Sequence, residues 1–259
     1  MAKILPAGKG VWVPIDHGVT DFPCQGLEDI ETTILALIAG EADVIIAHKG
    51  VVDKFSHLCE GTKTSMLAHL SASTRHGGKN HSNKVLVGDV DEAIMRGAVG
   101  VSCQVNIGSK KEADMLQRMG HITSEAFLNQ VPVLGMLYVR GENVNLMKDD
   151  PTKGYAHAAR IGFELGCDAI KTVWTGDIAS FEKVCRAAPV PLLVAGGPAT
   201  GDSRQILTMV KQSIEAGGAG VCMGRQIFAH PNATAITQAL VMIVHGNHTV
   251  DEAMEKCSL

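Results

Sequence analysis

Short apolar runs rich in Val and Ile alternate along the whole chain with longer segments in which apolar and polar residues recur at helical spacing. The short runs are typical of buried strands and the longer segments of amphipathic helices. The pattern predicts eight strands, at Val11–Asp16, Asp43–His48, Ser65–Leu70, Val99–Val105, Pro132–Tyr138, Asp168–Val173, Pro191–Ala195 and Gly220–Met223. It predicts helices at Leu27–Ala39, Asp91–Gly97, Lys110–Asn129, Pro151–Leu165, Ile178–Ala187, Asp202–Ala216 and Asn232–Val244.

This alternation of strand and helix sets the predicted fold class. Near-continuous apolar strands separated by helices indicate a parallel sheet with a covered outer face. Eight such units favour a closed barrel over an open doubly wound sheet, and 259 residues is close to the usual length of one barrel. No Pro- or Ser-rich linker divides the chain. We therefore expect an α/β protein in which residues 1–259 form a single (β/α)8 TIM barrel, with a long polar loop at Ser71–Lys84.

Composition and charge argue against several kinds of partner. Hydrophobic residues make up 46 % of the chain, but no apolar run approaches the roughly 18 residues of a membrane span. The N-terminus lacks the apolar stretch of a signal peptide, so we expect a cytoplasmic protein with no membrane partner. A net charge of −4 without a basic stripe gives no support for nucleic-acid binding. Seven cysteines without a C-x-x-C pair fit reduced thiols better than disulfides or a thiolate zinc site.

Polar residues at the ends of the predicted strands are the candidates for chemistry, because barrel active sites lie at the C-terminal ends of the strands. Asp16 and His17 stand at the end of the first strand. Tyr138 and Arg140 stand at the end of the fifth, and Lys171 lies inside the apolar sixth. These positions predict a site that combines an amine with acidic and basic groups.

Lys171 is the most informative of these residues. Burying an ammonium group is costly, so the amine either pairs with a carboxylate or loses its proton. If burial lowers its pKa, the neutral amine becomes a nucleophile toward a carbonyl group. Asp16 and Tyr138 would then supply proton transfer. The alternatives stay open at this point, since Asp16 is equally suited to a structural ion pair with Lys171 and Tyr138 to a packed ring.

Two glycine-containing turns follow the seventh and eighth predicted strands. Gly196 and Gly197 follow the seventh, and Gly224 and Arg225 follow the eighth. Barrels often bind phosphate with backbone N–H groups of these two loops, and an arginine adds a charged donor. The two turns together indicate a phosphate site, although tight turns that need glycine for conformation alone remain an alternative.

These residues occur in an order that resembles the class I aldolase family of archaeal-type fructose-bisphosphate aldolase and 2-amino-3,7-dideoxy-D-threo-hept-6-ulosonate synthase. The matching segments span almost the whole chain: Asp16-His17-Gly18, Tyr138-x-Arg140-Gly141, Lys171-Thr172 with Thr175-Gly176-Asp177, Gly196-Gly197 and Gly224-Arg225. The resemblance implies that Lys171 forms a Schiff base, that Tyr138 donates a proton and that Asp16 assists proton transfer. It implies no cofactor and no metal. It also assigns the substrate and its phosphate to His17, Arg140, Gly196, Gly197, Gly224 and Arg225.

The resemblance implies a phosphorylated keto-sugar and a small aldehyde as substrates, and a homo-oligomer as the assembly. Met136 stands where the fructose-bisphosphate aldolases tend to carry tryptophan, which favours the heptulosonate-synthase type with aspartate semialdehyde as acceptor. Fructose-bisphosphate aldolase and the synthases that join dihydroxyacetone phosphate to aspartate semialdehyde remain alternatives. Val139 replaces the usual proline, and Gln226 and Ala229 replace the usual Asn and Gln. These departures leave the sugar open.

Other classes of function compete with this interpretation. His17, His48 and His69 fall near the ends of the first three predicted strands and would suit a zinc-dependent barrel enzyme, although they also fit pore histidines or contacts to substrate hydroxyls. A sugar-phosphate isomerase would leave Lys171 unexplained. A thiolase acting on a phosphorylated diketone would keep the lysine, and Tyr138 argues mildly against it. A non-catalytic scaffold would not need these polar strand ends.

Overall fold

The strands pair in parallel around a closed barrel in a computed structural model that describes residues 1–80, 82–144, 150–197 and 201–259. The strands are β1 (Gly10–Pro14), β2 (Val44–Ala47), β3 (Ser65–His69), β4 (Ser71–Ala72), β5 (Val85–Leu86), β6 (Val101–Ile107), β7 (Val133–Val139), β8 (Ala169–Val173), β9 (Leu192–Ala195) and β10 (Gly220–Cys222). Around the barrel the order is β1, β10, β9, β8, β7, β6, β3, β2, so the predicted (β/α)8 barrel is confirmed.

Helices follow the barrel strands and cover their outer face. They are α1 (His17–Asp21), α2 (Ile30–Ala39), α3 (Lys49–Phe55), α4 (Val90–Met95), α5 (Glu112–Asn129), α6 (Pro151–Glu164), α7 (Ile178–Ala187), α8 (Ser203–Glu215), α9 (Arg225–Phe228), α10 (Ala233–Val244) and α11 (Val250–Cys257). The seven predicted helices are all present, with ends that differ by no more than three residues. The sequence analysis missed α1, α3, α9 and α11. Among the described residues, no helix combines the length and the apolar character that crossing a membrane requires.

The core has two layers because strand side chains alternate between the two faces of the barrel wall. On β2, Ile45 packs outward against the helices, whereas Val44 and Ile46 point into the barrel. Trp12 fills the interior from β1, and its indole N–H donates a hydrogen bond of 2.7 Å to the carbonyl oxygen of Ile4. The lower interior is therefore filled with apolar side chains, and polar side chains are left for the upper end.

The segment between β3 and β6 is more ordered than the loop predicted at Ser71–Lys84. Its β4 pairs antiparallel with β5, with Ala72 opposite Val85. A 3₁₀ helix spans Arg75–Asn80, and residue 81 lies outside the described part. The predicted strand Val99–Val105 is displaced by two residues, because β6 begins at Val101 and continues to Ile107.

Candidate active site

The residues that the sequence analysis singled out meet at one cavity at the C-terminal ends of the barrel strands. The cavity has a volume of about 410 Å³. It is lined by all the predicted catalytic and substrate-binding residues: Asp16, His17, Tyr138, Arg140, Lys171, Gly196, Gly197, Gly224 and Arg225. Sequence elements far apart in the chain are therefore brought to a single site. The chemical role of each residue stays a prediction.

Lys171 points into the barrel because of its position on β8. Ala169 belongs to the apolar cluster inside the barrel, and Ile170 belongs to the cluster between barrel and helices. Alternation then turns Lys171 inward, one step above Ala169. The residue is only 6 % exposed, yet it lines the cavity. A bound molecule in the cavity would meet an amine that bulk water barely reaches.

The pKa of Lys171 selects between the two alternatives that the sequence left open, pairing with a carboxylate or loss of the proton. Burial acts to lower it, as expected, but the groups that face the amine act in the opposite direction, and the pKa lies above its ordinary value. Those groups are the Cys222 thiol, the Tyr138 hydroxyl and the Asp16 carboxyl. Burial raises the pKa of Cys222 to about 11, so at neutral pH this thiol carries no charge. Of the two outcomes that the sequence left open for a buried lysine, the structure therefore favours pairing with the Asp16 carboxylate over loss of the proton.

Asp16 lies at the centre of a group of imidazoles. Its nearest charged or titratable partners are His17, with Nδ1 3.7 Å from Oδ1, and His69, with Nε2 3.8 Å from Oδ2. Burial acts to raise the pKa of Asp16, but His69, His17, Lys171 and His48 together hold it below its ordinary value. Burial lowers the pKa of His69 to about 3. At neutral pH the site therefore contains an Asp16 carboxylate, a Lys171 ammonium and neutral histidines.

Tyr138 lies beside the amine at the end of β7. Nζ of Lys171 is 6.0 Å from the centre of the Tyr138 ring, and a hydrogen bond to the tyrosine helps to raise the lysine pKa. The guanidinium carbon of Arg140 lies 4.5 Å from the centre of the same ring. Arg140 Nε in turn donates a hydrogen bond of 2.7 Å to Oδ1 of Asn106, which also accepts one of 2.8 Å from Gln104 Nε2. These contacts hold the Tyr138 phenol beside the Lys171 amine.

The glycine turns after β9 and β10 bring backbone close to other backbone and side chains. A Cβ on Gly224 would lie 2.5 Å from the carbonyl oxygen of Pro14, and a Cβ on Gly196 would lie 2.8 Å from Cγ of Gln226. Gly197 has a φ of +67°, a conformation that favours glycine. The turns therefore need glycine for packing and conformation, and the backbone that they expose lines the cavity.

The three histidines of the zinc hypothesis do not share a ligand position. Nδ1 of His48 lies 3.0 Å from the carbonyl oxygen of His69, and Nδ1 of His69 lies 2.8 Å from Oγ of Ser102. His17 is instead turned against Phe228, with ring centres 5.1 Å apart. Across the part of the chain that the structure describes, no group of three His, Cys, Asp or Glu side chains has the spacing of a metal site.

Three further residues in the cavity were missed by the sequence analysis. Lys84 is 8 % exposed and Gln104 is 8 % exposed, and both line the cavity with the buried Cys222. Lys84 was assigned to a polar loop, where a lysine attracts no notice. Alternation along β6 was the signal that could have found Gln104, since a glutamine inside an apolar strand needs a partner.

The comparisons with known proteins agree with this geometry. A family model described as DeoC/LacD family aldolase matches residues 11–230. The chain is 37 % identical to 2-amino-3,7-dideoxy-D-threo-hept-6-ulosonate synthase 1 of Archaeoglobus fulgidus over 255 residues, which cover 98 % of this chain and 93 % of that protein. It is 34 % identical to 2-amino-4,5-dihydroxy-6-oxo-7-(phosphonooxy)heptanoate synthase of Streptomyces griseus, with 92 % and 85 % covered.

A solved structure resembles the fold closely. An archaeal fructose-1,6-bisphosphate aldolase, with its catalytic lysine covalently bound to the carbinolamine intermediate of the substrate, superposes with a TM-score of 0.83 at 27 % identity. The match covers 94 % of this chain and 97 % of that one.

Proposed function

The chain belongs to the DeoC/LacD family of aldolases and is an enzyme of the class I aldolase kind, and from that premise we propose that Lys171 forms a Schiff base with a phosphorylated keto-sugar. The observation that carries the proposal is the Lys171 amine itself. It lies inside the barrel at 6 % exposure, opens to the cavity, and has Tyr138 and Asp16 as neighbours.

Formation of the Schiff base begins with loss of a proton from the Lys171 ammonium to water in the cavity. The free amine attacks the ketone carbon, and the resulting carbinolamine loses its hydroxyl as water to give a positively charged iminium. Tyr138 is placed to donate the proton that the leaving hydroxyl needs. Asp16 stays ionised because of its lowered pKa, so it acts as a counter-charge for the ammonium and the iminium.

The iminium then allows a carbon–carbon bond to break or form. The bond between the α- and β-carbons breaks, and its electron pair moves toward the positive nitrogen to give an enamine. The hydroxyl group on the β-carbon loses its proton as the aldehyde leaves. In the reverse sense the enamine attacks an aldehyde, and the new oxygen atom takes up a proton. Water finally hydrolyses the iminium and returns the Lys171 amine. Tyr138 is the side chain best placed for the proton at the β-oxygen.

The glycine turns bind the substrate phosphate in this proposal. Gly196, Gly197 and Gly224 line the cavity without side chains, so a phosphate can approach their backbone N–H groups. Arg225 also lines the cavity and adds a charged donor. The binding energy of the phosphate would hold the ketone carbon against the amine, which is how an aldolase turns substrate binding into positioning.

The preferred reaction is of the 2-amino-3,7-dideoxy-D-threo-hept-6-ulosonate synthase type, in which a fragment of a phosphoketose is joined to aspartate semialdehyde. The identities of 37 % and 34 % to the two synthases support this choice over fructose-bisphosphate cleavage. Met136 also supports it, because it lines the cavity where the fructose-bisphosphate aldolases tend to carry tryptophan.

An exchange assay tests the substrate class. A 6-deoxy-5-ketofructose 1-phosphate, whose methyl ketone end can supply the 7-deoxy carbon, is incubated with the protein in parallel with dihydroxyacetone phosphate and fructose 1,6-bisphosphate. Each donor is combined with either aspartate semialdehyde or glyceraldehyde 3-phosphate, and products are read by mass spectrometry. We expect an unphosphorylated seven-carbon amino acid from aspartate semialdehyde and the deoxy donor. A phosphorylated seven-carbon amino acid from dihydroxyacetone phosphate would instead identify the second type of synthase. Faster interconversion of fructose 1,6-bisphosphate with its triose phosphates would identify a fructose-bisphosphate aldolase, and no product from any pair would refute the proposed reaction.

A further inference from the structure

Lys84 is a second lysine at the cavity, and the steps above give it no task. It is 8 % exposed, and its pKa is lowered, chiefly by burial and also by the positive charge of Arg140, against the opposing effect of Asp16. Among the described residues it has no carboxylate within 4.0 Å. A buried ammonium without a close counter-ion is costly unless a ligand supplies one.

The backbone of Lys84 is held firmly, so its place at the cavity is part of the fold. Nη1 of Arg118, on α5, donates hydrogen bonds of 2.8 Å to the carbonyl oxygen of Lys84 and to Oδ1 of Asn83. The next residue, Val85, begins β5 and pairs with β4. Oγ of Ser71, on β4, accepts a hydrogen bond of 2.9 Å from the Gln104 backbone N–H, which ties the pair of strands to β6.

The barrel order places Lys84 across the mouth from the glycine turns. The turns follow β9 and β10, whereas Lys84 is tied to the junction of β3 and β6. In the ring order, the junction of β3 and β6 is four strands from the junction of β9 and β10, which is half of the circumference. Lys171 on β8 and Tyr138 on β7 lie on the arc between the two junctions.

The charges that line the cavity also exceed what one phosphate group needs. The basic side chains are Lys84, Arg140, Lys171 and Arg225, and the acidic ones are Asp16 and Asp21. Asp21 forms an ion pair with Arg75, which does not line the cavity. After Asp16 has balanced Lys171, Lys84, Arg140 and Arg225 remain as positive charges, and Arg140 is close enough to affect, or be affected by, the other two.

We propose that Lys84, together with Arg140, binds the anionic group at the far end of the aldehyde partner, opposite the glycine turns. The inference rests on the proposed function and adds the residue that recognises the charged end of its aldehyde, a carboxylate or a phosphate remote from the carbonyl carbon. Its carbonyl carbon lies at the enamine while its charged end reaches Lys84. Lys84 is therefore a binding residue that determines specificity, and it takes no part in forming the Schiff base.

Kinetics with charged and neutral aldehydes test this inference. The donor is the phosphoketose that the exchange assay identifies, and the aldehydes are aspartate semialdehyde, glyceraldehyde 3-phosphate and uncharged glyceraldehyde. Lys84→Met should lose about ten- to hundred-fold in kcat/KM for the preferred charged aldehyde, mainly through KM, and less than about threefold for glyceraldehyde. Lys84→Arg should recover most of the loss. A loss with aspartate semialdehyde would show that Lys84 binds a carboxylate, and a loss with glyceraldehyde 3-phosphate would show that it binds a phosphate.

Lys110→Met is the matched control, because Lys110 is an exposed lysine after β6 at the same end of the barrel. It should keep wild-type kinetics with every aldehyde. A second measurement needs no turnover: acetylation of Lys84 by acetic anhydride should be slowed by the charged aldehyde and not by glyceraldehyde, with Lys110 unprotected in both cases.

The results distinguish failure of the Lys84 inference from failure of the proposed function. Suppose that wild-type protein gives a borohydride-reduced adduct with the donor. The inference about Lys84 is then overturned if Lys84→Met loses kcat/KM equally for charged and neutral aldehydes, or if Lys84 is acetylated at the same rate in the presence of either aldehyde. The Schiff base would stand in both cases. If wild-type protein gives no adduct and no product, the proposed function fails and this inference fails with it.

Discussion

Replacing Tyr138 by phenylalanine separates proton transfer from every other task in the site. The substitution removes one oxygen atom and keeps the ring that Arg140 and Lys171 border. Tyr138 is half-buried and packs against the apolar cluster inside the barrel, and a phenylalanine fills the same space. The free energy of unfolding should fall by no more than about 1 kcal/mol, the usual net value of one hydrogen bond.

The effect on catalysis should be much larger. A positioned acid or base contributes a factor of roughly 10²–10⁴, so kcat should fall by that amount while KM changes little, since the phosphate turns are untouched. Formation of the Schiff base should slow, because Tyr138 also protonates the carbinolamine hydroxyl, but it should still proceed far enough for trapping with water as the proton donor. The hydrogen bond to Tyr138 is one of the causes that raise the pKa of Lys171, so its loss moves that pKa downward and leaves more free amine at a given pH.

Steady-state kinetics and borohydride trapping measure the two effects side by side. Tyr155 is the second tyrosine of the chain and lies on α6, outside the barrel, so Tyr155→Phe is the matched control and should keep both kcat and trapping. If Tyr138→Phe retained kcat, the proton would have to pass through Asp16 or His17. If it lost trapping as well as turnover while still folded, the tyrosine would be needed before the carbon–carbon bond reacts.

Three other perturbations follow from the structure. Arg225→Ala should lower kcat/KM about ten- to hundred-fold for phosphorylated ketoses, and an equal loss with an unphosphorylated ketose would place the phosphate elsewhere. Because the pKa of Lys171 is raised, the neutral amine is scarce at neutral pH, so the rate of trapping should climb as the pH rises above 7; a plateau reached below pH 7 would contradict the raised pKa. Asp43→Ala should lower the free energy of unfolding by about 2–4 kcal/mol, because Oδ2 of Asp43 accepts hydrogen bonds from Val11 N–H (2.6 Å) and His245 Nε2 (2.8 Å). Since Asp43 lies at the opposite end of the barrel from the cavity, kcat should be unchanged.

Removing metal is a separate test of the rival class of enzyme. A chelator should leave activity unchanged, because the proposed chemistry runs through an amine and a phenol. Activity lost with the chelator and restored by zinc would favour the metal-dependent barrel.

The sequence predicted the parts of the site that depend on local pattern. Alternation along a short strand is enough to turn Lys171 inward, and chain order places Gly196 and Gly224 in the last two loops of the barrel. The direction of the Lys171 pKa could not be predicted, because it depends on side chains from other strands at distances that sequence does not give. Lys84 was missed for the same reason, since hydrogen bonds to α5 and β6 bring a loop residue to the cavity. The single domain and the homo-oligomer remain predictions.

The central claim is that Lys171 is the nucleophile, and trapping tests it most directly. Wild-type protein is treated with borohydride in the presence of the phosphoketose donor, followed by intact mass and peptide mapping. The account predicts one reduced adduct, on the peptide that contains Lys171, and none in Lys171→Met, which should fold as the wild type does. An adduct on a different lysine such as Lys84, or no adduct with any phosphoketose while turnover continues, would contradict it.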